Sequence, residues 1–460
     1  MESEKQLYTP DMYKGPRQYA HLHAHTIYST LDGVASPSSY AEKCKEFDFP
    51  AMAITEHGNM SSVPDNHFSF SKHGIKYITG CEIYFNDYEP MRKQLDSHGA
   101  KMTQIKEAEP DLYSRIRRNR HLTVLAKNAK GFENLLKLTT QAYDTGFYYK
   151  PRIWFDKLCE HKEGLIILSG CLNGPVCHEL RLEGGSRYQS KDKRGAIDWV
   201  QKFKAAFGED YFIELQQPML PGDHEVFWKL VEIADGLRIK TVLANDAHYL
   251  TREDFRTQKL MMAIDQGLTI DSPDLFHVNS DHQYLKTRAE LWATFKNGRY
   301  SEQVDDRKFE EMCDNSLLIA DKCWHFKPDV DPKVPQIENG DDLLTIKVME
   351  ALKARGLDKN RMKFNMDGRQ VTYTEQAIIE LNRFISKGYA SYFLITQDLI
   401  DYGHSQGWPF LPRGSAGGSL VNFLLGISTI DPMLWELSAD RFLADSRGGY
   451  MLKTTMSEMK

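Results

Sequence analysis

Three histidines at alternating positions, His21-Leu22-His23-Ala24-His25, with Asp32 shortly after them, narrow the possible folds more than any other stretch of this chain. In extended backbone, side chains two residues apart share a face. The spacing therefore predicts His21, His23 and His25 on one side of a strand, with His23 and His25 able to grip one metal ion. A plain polar strand face has the same spacing, so the stretch has to be weighed with the rest of the chain.

Apolar runs of strand length recur downstream, at 50–55, 75–83, 121–126, 164–171, 211–216 and 240–249. Helical periodicity falls between them, at 36–47, 133–142, 196–207 and 225–237. This alternation predicts an α/β fold with a parallel sheet or barrel. Several runs end in polar chemistry: Glu56-His57 after the first, Gly170-Cys171 after another, Asp246 and His248 at the last. The ends of barrel strands are where α/β barrels carry their sites. His23, His25, Asp32, His57, Glu82, His121, Cys171, Asp246 and His248 are donors that suit Zn, Mn or Fe. Each alone has a structural explanation, since a buried histidine can simply be hydrogen-bonded and a lone cysteine acts as a small hydrophobe. Their shared placement points instead to one metal centre.

At 460 residues and 41% hydrophobic content the chain can bury more than one core, and two or three domains are expected. A net charge of −6 excludes a wholly basic nucleic-acid coat but leaves local patches open. Arg115, Arg117, Arg118 and Arg120 form such a patch, either a solvated loop or a phosphate-backbone contact. Seven cysteines without regular spacing do not make a disulfide framework. With no signal peptide and no long apolar run, the chain is expected to be soluble and cytoplasmic, away from membranes.

The pattern changes near 283–295. Helices are expected at 306–323, 341–355, 374–387 and 397–404, with a Pro-rich linker at 326–341. Pro412-Arg413-Gly414-Ser415-Ala416-Gly417-Gly418-Ser419 then leads into a short apolar helix at 420–425. A Gly/Ser turn entering a helix is a ready anion site, because free N–H groups and the helix dipole face one point. Arg413 adds a fork for phosphate oxygens.

These residues carry a family resemblance. His23-Ala24-His25-Thr26 with Leu31-Asp32-Gly33, Ile54-Thr55-Glu56-His57-Gly58-Asn59, Gly80-Cys81-Glu82, His121-Leu122-Thr123, Leu168-Ser169-Gly170-Cys171 and Asn245-Asp246-Ala247-His248-Tyr249 resemble the polymerase-and-histidinol-phosphatase (PHP) domain, in order. They are most similar to its form at the N-terminus of C-family replicative DNA polymerases. The resemblance implies a distorted (β/α)7 barrel over 1–287 with up to three divalent metal ions (Zn, Mn or Fe). Their ligands would be His23, His25, Asp32, His57, Glu82, His121, Cys171, Asp246 and His248. Glu56 stands where relatives usually have Asp and is not counted. The implied activity is metal-assisted phosphodiester hydrolysis, used by the family as a 3′–5′ proofreading exonuclease.

The second part resembles the same polymerases. Tyr392-Phe393-Leu394-Ile395, Arg413 to Val421, Asp431-Pro432 and Asp440-Arg441-Phe442-Leu443 follow the family's palm in order. This implies a helical connector and linker at 288–340, then a partial, mainly helical α+β palm at 341–460. By position, Gly414 and Ser415 would hold a nucleotide triphosphate, supported by Arg413 and Arg441. Pro412 replaces a glycine common in relatives, and Asp440 a glutamate. The Asp-x-Asp strand that carries catalytic Mg in the family is not found in 448–460. The resemblance therefore implies DNA and deoxynucleoside triphosphates as partners, Mg only in a completed polymerase site, and no polymerisation by this chain alone. A second chain carrying the rest of the polymerase would complete it. A free-standing PHP phosphoesterase would end near 295, and a nonenzymatic scaffold half would show gaps among the metal donors.

Overall fold

The computed structural model describes residues 7–86, 102–110, 113–114, 117–180, 193–275, 280–323, 335–359, 362–364, 370–439 and 442. The chain divides into two compact units, Met1–Pro328 and Asp329–Lys460.

The first unit is built on strands β1 (Ala51–Ile54), β2 (Lys76–Phe85), β3 (Arg120–Ala126), β4 (Phe147–Tyr148), β5 (Lys150–Ile153), β6 (Leu165–Leu168), β7 (Tyr211–Leu215) and β8 (Thr241–Leu243). β1 pairs with the first half of β2, and the sheet continues β2-β3-β6-β7-β8. The segment from His21 to Ala24 closes the ring. Ala53 and Thr55 donate their N–H groups to the His21 and Ala24 carbonyls on one side, and His25 N–H bonds the Ala247 carbonyl on the other. The result is a barrel-like α/β arrangement with the histidine stretch as one stave. β1, β6, β7 and β8 are buried along their whole length, which is why they read as continuous apolar runs.

Two features differ from the sequence expectation. The sheet is mixed rather than parallel, because β3 runs antiparallel to both β2 and β6. The end of β2 lies beside the start of β3, Phe85 opposite Arg120, so this pair needs no helical crossover. In addition, β4 and β5 form a short hairpin that the sequence reading did not include; β5 adds to the far end of β2.

Helices cover the strands. The first, Pro37–Glu46, begins where Ser36 accepts the Ser39 N–H and Pro37 takes the opening turn. The connector helices Arg288–Asn297 and Asp306–Lys322 belong to the first unit. The second of them sends Ile319 and Ala320 into the cluster that holds Leu22, Ala53, Leu125, Leu168, Phe212 and Val242.

The second unit packs helices Gly340–Ala354, Tyr373–Ser386, Ala390–Ser405 and Leu420–Leu424 around one apolar cluster. Phe384 and Phe393 stack at its centre, 4.5 Å apart. A small antiparallel hairpin, Met362–Phe364 with Gln370–Thr372, supplies the β component among the described residues.

Candidate metal centre

The closing stave does not stay regular. The backbone bends at His23, which resets the alternation of faces. Leu22 joins the apolar cluster with Phe212 and Val242, while His21 turns the other way, against Tyr19 and Phe49. His21 Nε2 bonds the Lys286 carbonyl at 2.8 Å, and burial lowers its pKa to about 4. The expectation that His21 shares a face with His23 and His25 is thus corrected: it is a core histidine.

The nine expected donors come from distant parts of the chain, His23 with His25 and Asp246 with His248 sharing a segment, and converge at one mouth. His25, His57 and His248 place nitrogens within 4.8 Å of one another. The same holds for His23, His25 and Glu82, and for His57, Glu82 and His121. Asp246 Oδ1 lies 3.3 Å from His23 Nε2 and 3.2 Å from His25 Nε2. Asp32 Oδ2 lies 2.9 Å from His57 Nε2 and 3.5 Å from His248 Nε2. Cys171 Sγ is 3.6 Å from His121 Nδ1.

Second partners aim these rings. Glu214 Oε1 meets His23 Nδ1 at 2.6 Å, and its other oxygen accepts the Thr123 hydroxyl at 2.9 Å. His25 Nδ1 pairs with Ser29 Oγ at 2.9 Å, and His248 Nδ1 with the Asp246 carbonyl at 2.8 Å. Each anchored Nδ1 leaves Nε2 for the shared centre, the arrangement that orients metal-binding imidazoles. Gln258 donates to Asp32, and Gln283 to Asp246. Glu56 is absorbed by the fold: it accepts the Thr26 N–H and the Thr26 and Ser29 hydroxyls. Gly33 lets the Asp32 turn close, because a Cβ there would sit 2.1 Å from the Thr26 carbonyl oxygen. Asp246 itself holds φ +49, an uncommon state for a residue with a side chain.

Among the described residues, six buried atoms at this mouth find no hydrogen-bond partner: His23 Nε2, His25 Nε2, His57 Nδ1, both Glu82 oxygens and Asp246 Oδ1. They approach one another as closely as 2.6 Å, for His57 Nδ1 and Glu82 Oε2, without the alignment of a hydrogen bond. Buried polar atoms are normally hydrogen-bonded, so imidazoles and carboxylates crowded about one point without hydrogen bonds fit a metal ion that would take the place of the imidazole protons.

The electrostatics agree. Burial would push the Glu82 carboxyl up, but His121, His23 and His57 hold it well below the usual range. Burial would lower His23, but Glu214, Asp246 and Glu82 raise it well above its ordinary value. His57 is raised to about 10 and His248 to about 9, in each case because nearby carboxylates, Glu82 for His57 and Asp32 for His248, overcome burial. His25 falls to about 3 through burial and its two imidazole neighbours His57 and His248. The site's carboxylates thus require positive charge, and its centre holds a neutral imidazole.

In the second unit the expected anion site differs. Gly414–Gly418 is a 3-10 turn, with Arg413, Gly414 and Ser415 exposed. The helix start behind it is already occupied. Glu380, 1% exposed, accepts the Leu420 and Val421 N–H groups at 3.1 Å each and the Ser419 hydroxyl at 2.8 Å. The first amides of that helix are thus satisfied within the chain, which leaves Arg413 and the exposed Gly414-Ser415 turn itself as the groups open to a ligand. Arg441 and Asp440 lie outside the described residues, as do Arg115 and 448–460.

Sequence reasoning missed Glu214 and Glu380. A carboxylate inside the buried run Tyr211-Phe212-Ile213-Glu214-Leu215 was a readable signal, since such a charge requires a partner. Nothing local marked Glu380.

Residues 21–218 match the PHP domain family, and 344–450 the bacterial DNA polymerase III alpha NTPase domain. The chain is 31% identical over 437 residues to DNA polymerase III subunit alpha of Aquifex aeolicus, covering 94% of this chain and 35% of that one. Against the same-named proteins of Borreliella burgdorferi and Mycobacterium tuberculosis it is 32% and 33% identical, covering 94% and 93% of this chain and 34% of each relative. The chain spans about a third of the length of these relatives.

Proposed function

We propose that this chain, which belongs to the bacterial DNA polymerase III alpha family, hydrolyses phosphodiesters at its first unit and removes nucleotides from the 3′ end of DNA. The observation that carries this reading is the set of six buried nitrogen and oxygen atoms crowded at the barrel mouth without hydrogen bonds. His23, His25, His57, Glu82, His121 and Asp246, with Asp32, Cys171 and His248 beside them, would hold up to three divalent ions. Bound ions supply a low-pKa water and neutralise the phosphate and the leaving oxygen. The mixture of imidazole, carboxylate and one thiol suits Zn, Mn or Fe.

The residues of the chain prepare this site. Glu214 and Ser29 hold His23 and His25 so that Nε2 faces the centre. His25, lowered to about 3, would meet an ion as a neutral imidazole, whereas His57 and His248, raised to about 10 and about 9, would have to give up protons to coordinate one. In the second unit, Arg413 and the exposed Gly414-Ser415 turn are proposed to contact the phosphates of a deoxynucleoside triphosphate, together with Arg441. The place of action is proposed to be the cytoplasm. Among the described residues no helix is long and apolar enough to cross a membrane.

The test is metal analysis combined with digestion of a 3′-labelled oligonucleotide, comparing the parent with His25→Ala. The parent is expected to retain divalent metal and to shorten the labelled strand, and the variant to do neither. A parent protein without metal and without hydrolysis overturns the reading.

A further inference from the structure

Beside the metal-centre mouth the first unit presents aromatic rings to solvent. Tyr143, Phe147 and Tyr149 are 52%, 58% and 75% exposed. Tyr143 and Phe147 stack 6.1 Å apart at an angle of 20°, and Tyr148 meets Tyr149 edge-on at 4.7 Å. Tyr149 forms the tip between β4 and β5 and holds φ +58. Bulky residues rarely adopt that backbone state, and an exposed ring gains no burial there to offset it.

The hairpin is fixed rather than loose. Tyr148 lies over the buried Arg152 guanidinium, 5.2 Å away, and Arg152 Nε donates to the Gly146 carbonyl. β5 pairs with β2 at Tyr84 and Phe85. Tyr84 lies two residues beyond Glu82 on that strand and so faces the same side. Its ring lies 5.4 Å from His121 and 6.2 Å from His57. Lys150 Nζ sits over the outer side of that ring at 5.4 Å. A continuous path of rings and one ammonium thus runs from the exposed tip to the metal donors. Exposed Arg117, against Tyr113 at 5.5 Å, adds a second cation nearby, and the run 143–152 contains only one carboxylate, Asp144.

We infer that Phe147, Tyr149 and Lys150 form a platform for the unpaired end of a nucleic acid strand. Bases stack on the rings, while the ammonium meets the backbone phosphate leading toward His57 and His121. The chemistry is that of sequence-tolerant single-strand binders, which combine flat aromatic faces with cations along a backbone track. A protein partner would be served by apolar depth, whereas these rings stand exposed beside the Lys150 and Arg117 cations. The inference rests on the hydrolase reading above, because it gives that site its substrate's path.

The test uses the full chain. Binding of a fluorescein-labelled oligothymidylate is followed by anisotropy with chelator present, and hydrolysis of bis(p-nitrophenyl) phosphate, too small to reach the platform, is followed with Mn. Phe147→Ala with Tyr149→Ala is expected to weaken strand binding on the order of 30-fold. Its hydrolysis of the small diester should stay within about twofold of the parent. Tyr149→Gly removes the ring while relieving the backbone, so it should bind less well although folded at least as stably. Lys150→Gln should reduce the dependence of log affinity on log salt by about 0.7. Equal strand binding by parent and double variant overturns the platform, and so does a change confined to self-association in sedimentation. A parent inactive on the small diester is instead a failure of the hydrolase reading, and the binding arm still decides the platform.

Discussion

The barrel mouth of the first unit and the glycine-serine turn of the second read alike in sequence, as small or polar motifs suited to a charged ligand. They are opposite in structure. At the mouth, His23, His25, His57, Glu82 and Asp246 bury polar atoms that the fold leaves without hydrogen bonds. At the turn, the amides of Leu420 and Val421 are paired by the chain's own Glu380. One place keeps its polar groups for something that must be added; the helix start behind the turn uses its own to join two helices, and only Arg413 and the exposed turn in front of it stay open to a ligand. Pairing, more than motif, separates the metal-donor mouth from that helix start, because a buried polar group without a hydrogen bond is costly unless a ligand relieves it.

That contrast can be broken most severely at His25. His25→Ala should reduce hydrolysis to the metal-free background and lower the bound metal, as elemental analysis and the labelled-strand assay will register. Glu380→Ala comes next. It strands two amides and a hydroxyl, so denaturant unfolding should show a loss of about 2–4 kcal/mol. If Glu380→Ala costs nothing, the carboxylate is not the partner that the helix start requires.

Manganese provides the intermediate effect. At a hundred times its Kd it should stabilise the transition that includes the barrel by about 2.7 kcal/mol, and leave any separate transition of the second unit where it was. Its affinity should also depend on pH. His57 and His248, raised to about 10 and about 9, must lose protons as the ion enters, so binding tightens as pH climbs toward those values. Calorimetry in two buffers of different ionisation enthalpy would count the protons released, and a release of zero contradicts the site. Glu214→Gln should weaken metal binding about 10–100-fold through loss of the carboxylate behind His23. Competition with a coloured chelator measures this, and excess metal should restore hydrolysis. Smallest is Arg413→Ala: the residue is exposed, so stability should move by no more than about 0.5 kcal/mol, while nucleotide affinity, followed by filter binding, falls.

Much of the first unit was readable from the chain. The apolar runs at β1, β6, β7 and β8 were recognisable because burial on both faces favours apolar residues, with Glu214 in β7 the charged exception. The hairpin of β4 and β5 was not, since Lys150, Pro151 and Arg152 break any apolar run there and Phe147-Tyr148 is too short to show one. His21 was placed with His23 because alternation assumes regular backbone, and the bend at His23 cannot be read from residue types.

What the sequence determined by itself was the inventory: which segments must be buried, and which donors stand at their ends. Local preferences and periodicity depend on neighbours a few positions away, and those are written in the chain. Tertiary structure decided which donors meet. Glu214 reaches His23 across 191 positions, and Glu380 reaches Leu420 across 40. Such pairings exist only once the ring of strands has closed, or helices have packed, and brought distant polar groups within hydrogen-bonding distance.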